Sequence, residues 1–544
     1  MSRKPFILGA LLLASFAINL DTTIVNVALP TLARELHASN SQLQWVVDAY
    51  NLVFAALLLA SGSVSDRSGR KGVLLLGLAV FGLASIAGGV TTSPGALIAT
   101  RALMGLGAAA VFPATLSLIS NVFTERVERA RAIGLWGATA GVAVALGPIV
   151  GGWLLEHFSW SSIFFAMAPV AAGAALLVWR YVPTSRDPNA AAADRPGLVL
   201  SAAAMAVLIF TIIEAPAHGW SSARTLSGFA LAGALLTAFA VVERRVRAPM
   251  LDISLFRNPR FTAASGSVTI AFFNLFGFIF LITQYFQFFR GYSPLSTGVH
   301  LLPVAVSIGV TSVLGTRLAV RFGTKLVVAA GLLSMAGFYV WVTTAAAGTS
   351  YGTIAAQMVV LGTGMGLTSA PATEAIMGVV PAAKAGVGSA VNDATRLLGG
   401  TLGVAVIGSV YASLYAGRLT AALPSHLPAA LVEPAHSSAG AALAIAHQLG
   451  HAGQPGLAAA VHAATAGAFI HGLSVACLAS GTIAGAGAVV ALALLPAQPA
   501  SPLLEPIGEP PHIDLVSGPA EMPPTGAVVL SMRSRPTGYG ARDA

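Results

Sequence analysis

Gly62–Lys71 reads GSVSDRSGRK, and this stretch decides the fold of the chain. It is short and strongly charged, and it separates two long apolar runs in a chain of which only 9% of the residues are charged. Charge that is concentrated beside a long apolar run lies where hydrocarbon meets water. The stretch therefore predicts a turn at a membrane edge, with a membrane-spanning helix on each side.

The composition of the whole chain agrees with this interpretation. Of the 544 residues, 56% are apolar, and the mean hydropathy is +0.80, which excludes an ordinary soluble protein. The net charge of +9 does not indicate nucleic-acid binding, because the basic residues lie at the ends of apolar runs. The single cysteine, Cys477, excludes an internal disulfide and a metal site built from several cysteines.

The apolar residues form fourteen runs of about twenty residues, the length that spans a bilayer core. Backbone amides must find partners inside lipid, so continuous apolar runs predict helices rather than barrel strands. The first run continues past Asp21 to Leu29 without a small-residue cleavage site, which indicates an uncleaved helix. The predicted spans begin near Pro5, Gln44, Val73, Gly95, Arg131, Ser162, Pro196, Thr225, Phe261, Ser296, Leu326, Thr353, Gly386 and Gly467.

Basic residues and a weak repeat predict the organisation of these spans. The amino terminus and every second loop after it hold about 23 of the 29 Lys and Arg residues, so both termini are predicted to be cytoplasmic. The Asp66–Gly69 sequence after the second span recurs as Val320–Gly323 after the tenth, which indicates two repeated halves. The predicted domains are a six-helix bundle at 1–183, two linker helices at 184–248, a second six-helix bundle at 249–495 with an outer loop at 416–466, and a disordered cytoplasmic tail at 496–544.

Three stretches resemble the major facilitator superfamily of transporters. The opening stretch resembles the loop between its second and third helices at Gly62, Asp66, Arg67, Gly69, Arg70 and Lys71. LDTTIVNVALP at Leu20–Pro30 resembles the first-helix motif of the fourteen-helix drug:proton antiporters, the QacA/EmrB-like branch. The fifth span resembles the antiporter motif at Gly141, Gly147, Pro148, Gly151 and Gly152. The resemblance implies an all-α integral membrane protein of the cell membrane, with two six-helix bundles, two extra helices and an export function.

Ionisable residues inside the predicted spans are the candidate sites for protons and cargo, because charge in the bilayer is costly. In the first half these are Asp21, Asp48 and Arg101. A packing contact for Asp21, an outward-reaching position for Asp48 and a structural salt bridge for Arg101 are the alternatives. The resemblance ties Arg101 to proton transfer, although Met104 stands where the family often has glutamine.

The second half contributes Glu374 in the twelfth span and Asp393 and Arg396 in the thirteenth. Asp393 and Arg396 are three residues apart on one helix, so they are predicted to pair, either as a structural lock or as a proton site. Asp21 and a buried Glu374 are the predicted proton carriers. The aromatic residues predicted to supply stacking and cation–π contacts to cargo are Trp45, Tyr50, Phe54, Phe272, Phe273, Phe276, Tyr285 and Phe286.

The predicted function is multidrug efflux coupled to protons, in which lipophilic and cationic compounds leave by alternating access. A dedicated exporter of one endogenous metabolite or antibiotic is the main alternative, and a non-transporting sensor or scaffold on the same fold is another. The predicted partners are a small-molecule cargo, protons and the lipid bilayer. The sequence contains no phosphate-binding loop, catalytic triad or metal-ligand spacing, so we predict no ATP, nucleic acid, cofactor, metal ion or enzymatic activity.

Overall fold

The computed structural model describes residues 4–186, 194–246, 249, 251, 253–344, 348–380, 385–425, 427–495 and 497. Within these ranges the chain is helical and has no strand. The predicted disordered tail at 496–544 lies outside the described residues apart from Ala497.

Within the described residues, thirteen spans, or fourteen if a bent helix is counted as one span, cross the fold in the predicted order. Thirteen of them are long and apolar enough to span a membrane, and one of these thirteen is a pair of adjoining helices. The remaining span is α2, whose parts Asn40–Leu58 and Ala60–Ser68 meet at a 54° bend. The short helix α10 and the longer α11 together form the tenth span. The helices are α1 (Lys4–Glu35), α2 (Asn40–Ser68), α3 (Arg70–Gly89), α4 (Pro94–Val122), α5 (Arg126–His157), α6 (Ser162–Tyr181), α7 (Arg195–His218), α8 (Ala223–Glu243), α9 (Pro259–Phe288), α10 (Pro294–His300), α11 (Leu302–Phe322), α12 (Thr324–Val342), α13 (Tyr351–Met377), α14 (Ala385–Ala422), α15 (Ala429–Ser437), α16 (Ala439–His451) and α17 (Pro455–Leu494), with a 3₁₀ helix at Ile253–Arg257.

The turn predicted at Gly62–Lys71 is wrong in extent. Helix α2 continues to Ser68 and α3 begins at Arg70, so Gly69 alone lies between them, at φ +111°. Gly323 separates α11 from α12 in the same way, at φ +89°. Glycine adopts positive φ without steric penalty, so the repeated glycine lets two long helices reverse direction within one residue.

The region predicted as an outer loop at 416–466 is mostly helical. Helix α14 continues to Ala422, α15 and α16 follow, and α17 begins at Pro455 rather than near Gly467. Gly440 of α16 packs against Phe288 at the end of α9 and Ala33 at the end of α1. Helix α16 therefore lies over the ends of two spans that belong to different halves, and α15 packs on α14 and α16.

The packing of the spans repeats between the two halves. In the first half α2 packs on α4, α3 on α4 and α6, and α1 on α5; in the second half α11 packs on α13, α12 on α13 and α17, and α9 on α14. Helix α7 lies in the seam between the halves, where Ile209 and Ile213 pack with Leu52 of α2 and Ala405 of α14. This arrangement is the one expected of two repeated bundles with a linker pair beside them.

The two ends of the spans differ in charge. At one end Lys4 pairs with Glu128, and the backbone amide of Arg70 donates to the Ser185 carbonyl at 2.9 Å. We call this end the arginine-rich face, because it also holds Arg257, Arg260, Arg317 and Arg321. The opposite end, which carries α10, α15 and α16, is the arginine-poor face.

Candidate functional site

A central cavity of about 310 Å³ lies between the two bundles. Helices α1, α2, α4 and α5 form one side, and α9, α10, α11, α13 and α14 form the other. The lining is mostly apolar, with aromatic and small polar side chains, and its charged members are Asp393 and Arg396. The lining residues that carry the argument below are Asn19, Thr22, Asn51, Phe54, Phe112, Trp136, Gly141, Pro148, Phe272, Phe276, Gly298, Ser312, Asp393 and Arg396.

Close backbone contacts between the halves lie toward the arginine-poor face. A Cβ atom on Gly298 would lie 2.3 Å from the Pro148 carbonyl oxygen, and one on Gly152 would lie 2.5 Å from the Leu295 Cα atom. Nearby, Gln287 donates to the Val27 carbonyl at 2.8 Å. Glycine is required at these contacts because α5 and α10 touch through their backbones.

Asp21 and Arg101 form a buried ion pair behind the cavity wall. The Asp21 carboxylate lies 2.5 Å from the Arg101 guanidinium, and each side chain is 1% exposed. Arg101 also donates to the Val46 carbonyl at 3.0 Å and lies 4.4 Å from the centre of the Tyr50 ring. Arg101 thus faces a carboxylate, and neither Asp21 nor Arg101 lines the cavity.

Asp48 is also fully buried, in the neighbouring helix α2. Among the described residues neither of its carboxylate oxygens has a hydrogen-bond partner. The alternative of an outward-reaching Asp48 is therefore wrong. An ionised carboxylate that is buried without a partner costs several kcal/mol, so the neutral acid is the form that fits this site.

Asp393 and Arg396 lie on the cavity wall itself. Their charged groups are 3.5 Å apart, as the three-residue spacing predicts, and the Arg396 guanidinium lies 4.7 Å from the centre of the Phe272 ring. Arg396 is 38% exposed, so its charge faces the open part of the cavity. The wall thus presents one acid and one base that compensate each other.

The burial predicted for Glu374 is wrong. Glu374 is exposed, near the end of α13 at the arginine-rich face, and it does not line the central cavity. Its helix turns the flanking residues Ala372, Ala375 and Ile376 inward instead. Helical spacing alone did not reveal which face of α13 packs, because apolar residues surround Glu374 on both sides in sequence.

The predicted aromatic wall is partly present. Phe54, Phe272 and Phe276 line the cavity, whereas Trp45, Tyr50, Phe273, Tyr285 and Phe286 are not among its lining residues. Phe112 and Trp136 line it and were not predicted. The signal available for them was their place on α4 and α5, the helices that carry Arg101 and the antiporter motif.

The residues of the antiporter motif contact different parts of the structure. Gly147 and Gly151 pack on Thr23 and Ile24 of α1, where an added Cβ atom would lie within 2.7 Å of a neighbouring atom. Gly152 packs on α10, and Pro148 lines the cavity, but a Cβ atom on Gly141 would meet nothing within 4 Å. Close approach thus explains three of the four glycines, while Gly141 borders open space.

The charged stretch ties α2 and α3 to the end of α6. Asp66 accepts from Arg70 at 2.7 Å, and Lys71 donates to the Trp179 carbonyl at 2.8 Å. Arg67 is exposed, and Gly62 is in ordinary contact with Pro113. The acid of the stretch is thus paired with an arginine of the same stretch.

Known proteins match this chain over most of its length. The multidrug resistance protein Stp of Mycobacterium tuberculosis is 36% identical over 423 residues, 78% of each chain. The methylenomycin A resistance protein of Streptomyces coelicolor is 35% identical over 394 residues, 72% of this chain and 83% of that one. A crystal structure of a bacterial homologue of the human lysosomal transporter Spinster, inward-facing and unoccupied, superposes with a TM-score of 0.66 at 16% identity, over 92% of this chain and 99% of that one.

These matches agree with the helix packing. A family model described as Major Facilitator Superfamily matches residues 11–404. Together with these relatives, the thirteen or fourteen apolar spans of the described residues make the chain a multi-pass protein of the cell membrane. The chain belongs to the major facilitator superfamily and, within it, is similar to multidrug and antibiotic resistance proteins.

Proposed function

We propose that the protein exports lipophilic compounds from the cell in exchange for protons, by alternating access. The observation that carries this proposal is the central cavity, which both bundles line and which α5 and α10 close toward the arginine-poor face. A cavity between two repeated bundles is where transporters of this architecture bind cargo. The moving units would be residues 1–183 and 249–495, with residues 184–248 as a linker.

The orientation in the membrane follows from charge. Basic loops remain on the cytoplasmic side, so the arginine-rich face and both termini are cytoplasmic in this proposal. The contacts at Gly298 and Gly152 then close the outer end, and the structure represents an inward-facing state. Cargo enters the cavity from the cytoplasm or from the inner leaflet.

Two buried acids support proton coupling. Asp21 is held as a carboxylate by Arg101, whereas the surroundings of Asp48 fit the neutral acid. Protonation of Asp21 releases Arg101, and Asp48 loses its proton only when water or a cation reaches it. We therefore assign coupling to Asp21 and Asp48 rather than to the exposed Glu374. Cargo and proton must then weaken each other's binding by the same factor.

The range of compounds that the protein transports has two candidate descriptions, a broad one and a narrow one. Stp is named a multidrug resistance protein, which favours a broad range, and the cavity wall is apolar and aromatic. The other relative is named for resistance to one antibiotic, methylenomycin A, which favours a dedicated exporter. The chain acts as a transporter in both cases, without a role for ATP.

The test is proton flux in proteoliposomes that hold an imposed pH gradient. Several unrelated lipophilic compounds should each dissipate the gradient with the parent protein, and Asp21→Asn and Asp48→Asn should abolish this. Glu156→Gln, an exposed acid at the end of α5, is the matched control and should behave like the parent. A response to one compound alone favours the dedicated exporter. Unchanged flux in both aspartate variants would overturn the assignment of coupling.

A further inference from the structure

A second pocket, of about 740 Å³, lies outside the central cavity, between the linker helices α7 and α8 and Trp45 of α2. It begins at the turn between α7 and α8, which is a membrane edge because both helices are spans. From Arg224 to Leu231 it follows α8 for roughly 10 Å at 1.5 Å per residue, so it extends from the interface into the hydrocarbon. We call it the lateral pocket.

Three ionisable side chains, Glu214, His218 and Arg224, lie in the lateral pocket. Arg224 lies 2.6 Å from Nε2 of His218, and Nδ1 of His218 lies 3.1 Å from the Glu214 carbonyl oxygen. Since the guanidinium can only donate, Nε2 accepts and Nδ1 carries the proton, which makes His218 neutral. His218 therefore positions Arg224, and the pocket holds one cation and one anion.

The deeper part of the lateral pocket is apolar. Phe210 packs on Trp45 with ring centres 6.3 Å apart, and Ala206 and Leu231 also line the pocket. At the floor α7 and α8 meet where a Cβ atom on Gly228 would lie 2.3 Å from the Thr211 hydroxyl. A ligand that fits must therefore combine a charged head at the interface with an apolar chain in the membrane.

We propose that the lateral pocket binds a phospholipid whose headgroup carries a primary amine. Arg224 binds the phosphate with a charge-assisted hydrogen bond, and Glu214 accepts from the amine. One acyl chain lies along Phe210 and Leu231. A headgroup with a negative phosphate and a positive amine matches the single cation and single anion of the pocket, whereas an anionic headgroup leaves Glu214 uncompensated. This site is separate from the central cavity, and α7 places it on the seam between the two bundles.

Native mass spectrometry of the purified full chain tests the proposal with phosphatidylethanolamine, phosphatidylglycerol and phosphatidylcholine of identical acyl chains. The parent should retain phosphatidylethanolamine in preference to the other two. Glu214→Gln should lower that retention about tenfold, as expected for one lost charge-assisted hydrogen bond, and should remove the preference. Arg224→Gln should lower retention of all three lipids. Leu231→Trp should fill the apolar part and lower retention while leaving both charges in place.

The matched controls are Arg418→Gln and Glu156→Gln, which change exposed charges at the same face outside the lateral pocket. Both should retain lipid like the parent, and the melting temperature of each variant reports whether it is folded. Equal retention of the three lipids by the parent would overturn the proposal. So would unchanged retention in folded Glu214→Gln and Arg224→Gln variants, or displacement of the lipid by a transported compound that occupies the same pocket.

Discussion

At the scale of single residues, the buried pair of Asp21 and Arg101 makes a prediction about stability. Removing one partner leaves the other charge buried and uncompensated, so Arg101→Gln should lower the free energy of unfolding by about 3–5 kcal/mol. Asp21→Asn should have a similar effect, and the double variant should lose much less than the sum. A double-mutant cycle of unfolding by denaturant measures this coupling. Additive losses would show that the two residues do not stabilise each other.

For Asp48 we predict the opposite effect on stability, namely almost none. Because the neutral acid fits its site, Asp48→Asn replaces it with a neutral side chain of the same shape. We expect the free energy of unfolding to change by less than about 1 kcal/mol, while proton flux is lost. The same denaturant titration and proteoliposome assay measure both quantities, with Arg101→Gln as the contrast. A loss of stability as large as that of Arg101→Gln would show that Asp48 is ionised and paired.

At the central cavity, we predict that Arg396 weakens the binding of cationic cargo. It neutralises Asp393 on the cavity wall, so Arg396→Gln should leave an acid without a partner there. We expect lipophilic cations to bind about tenfold more tightly to this variant, and neutral compounds of similar size to bind unchanged. Equilibrium binding of a cation and a neutral compound to the purified protein gives both dissociation constants. A gain for both compounds would attribute the effect to space rather than to charge.

These residues also show what the sequence can and cannot predict. The intramembrane charges were identifiable one by one, and the pairing of Asp393 with Arg396 followed from their spacing on one helix. The pairing of Asp21 with Arg101 spans 80 positions and requires the packing of α1 on α4. For Glu374 the missing information was which face of α13 meets its neighbours, and only the packed bundle supplies that.

At the scale of helices, the contact of α5 with α10 is the element that closes the cavity. Gly298→Ala would place a Cβ atom 2.3 Å from the Pro148 carbonyl oxygen, so we expect it to separate the two helices. A cysteine introduced by Ser312→Cys, on the wall of the central cavity, should then react faster with a thiol reagent applied from the arginine-poor face. Gly141→Ala, in the same motif but beside open space, is the matched control and should leave the rate unchanged. Equal rates in both variants would place the barrier elsewhere.

Helix existence was predictable to the last span, because hydrocarbon requires long apolar runs. The residues at which the helices begin and end were harder to predict. The charged stretch at Gly62–Lys71 reads as a loop, yet its residues up to Ser68 continue α2, since Asp66 and Arg70 pair across a single glycine. The alanine, glycine and histidine between residues 416 and 466 did not predict α15 and α16, because α16 is held by its packing on α1 and α9 and α15 by its packing on α14 and α16.

At the scale of the whole molecule, the repeated packing of the two halves and the contact of α5 with α10 at one face are the basis of the alternating access that we propose. α7 lies against both α2 and α14, so one of the two linker helices touches both of the units that we propose to move. Any rocking of the bundles must therefore slide α7 against at least one of them. The lipid proposed for the lateral pocket would sit at that sliding contact.

The last prediction concerns the side of the membrane from which the central cavity can be reached. It depends both on the orientation of the protein in the membrane and on whether the cavity faces inward. On a Cys477→Ala background, which removes the one native cysteine, the Ser312→Cys variant should react with a membrane-impermeant thiol reagent at least tenfold faster in inverted vesicles than in right-side-out cells. The reason is that, in the proposed orientation, the α5–α10 contact closes the outer end and the arginine-rich face is cytoplasmic. Arg418→Cys, exposed at the arginine-poor face, separates the two assumptions, because it should react from outside whatever the state of the cavity. If the Arg418→Cys variant reacts from outside and the Ser312→Cys variant does so too, the orientation holds and the resting state is outward-facing. If Arg418→Cys reacts only in inverted vesicles, the orientation itself is reversed.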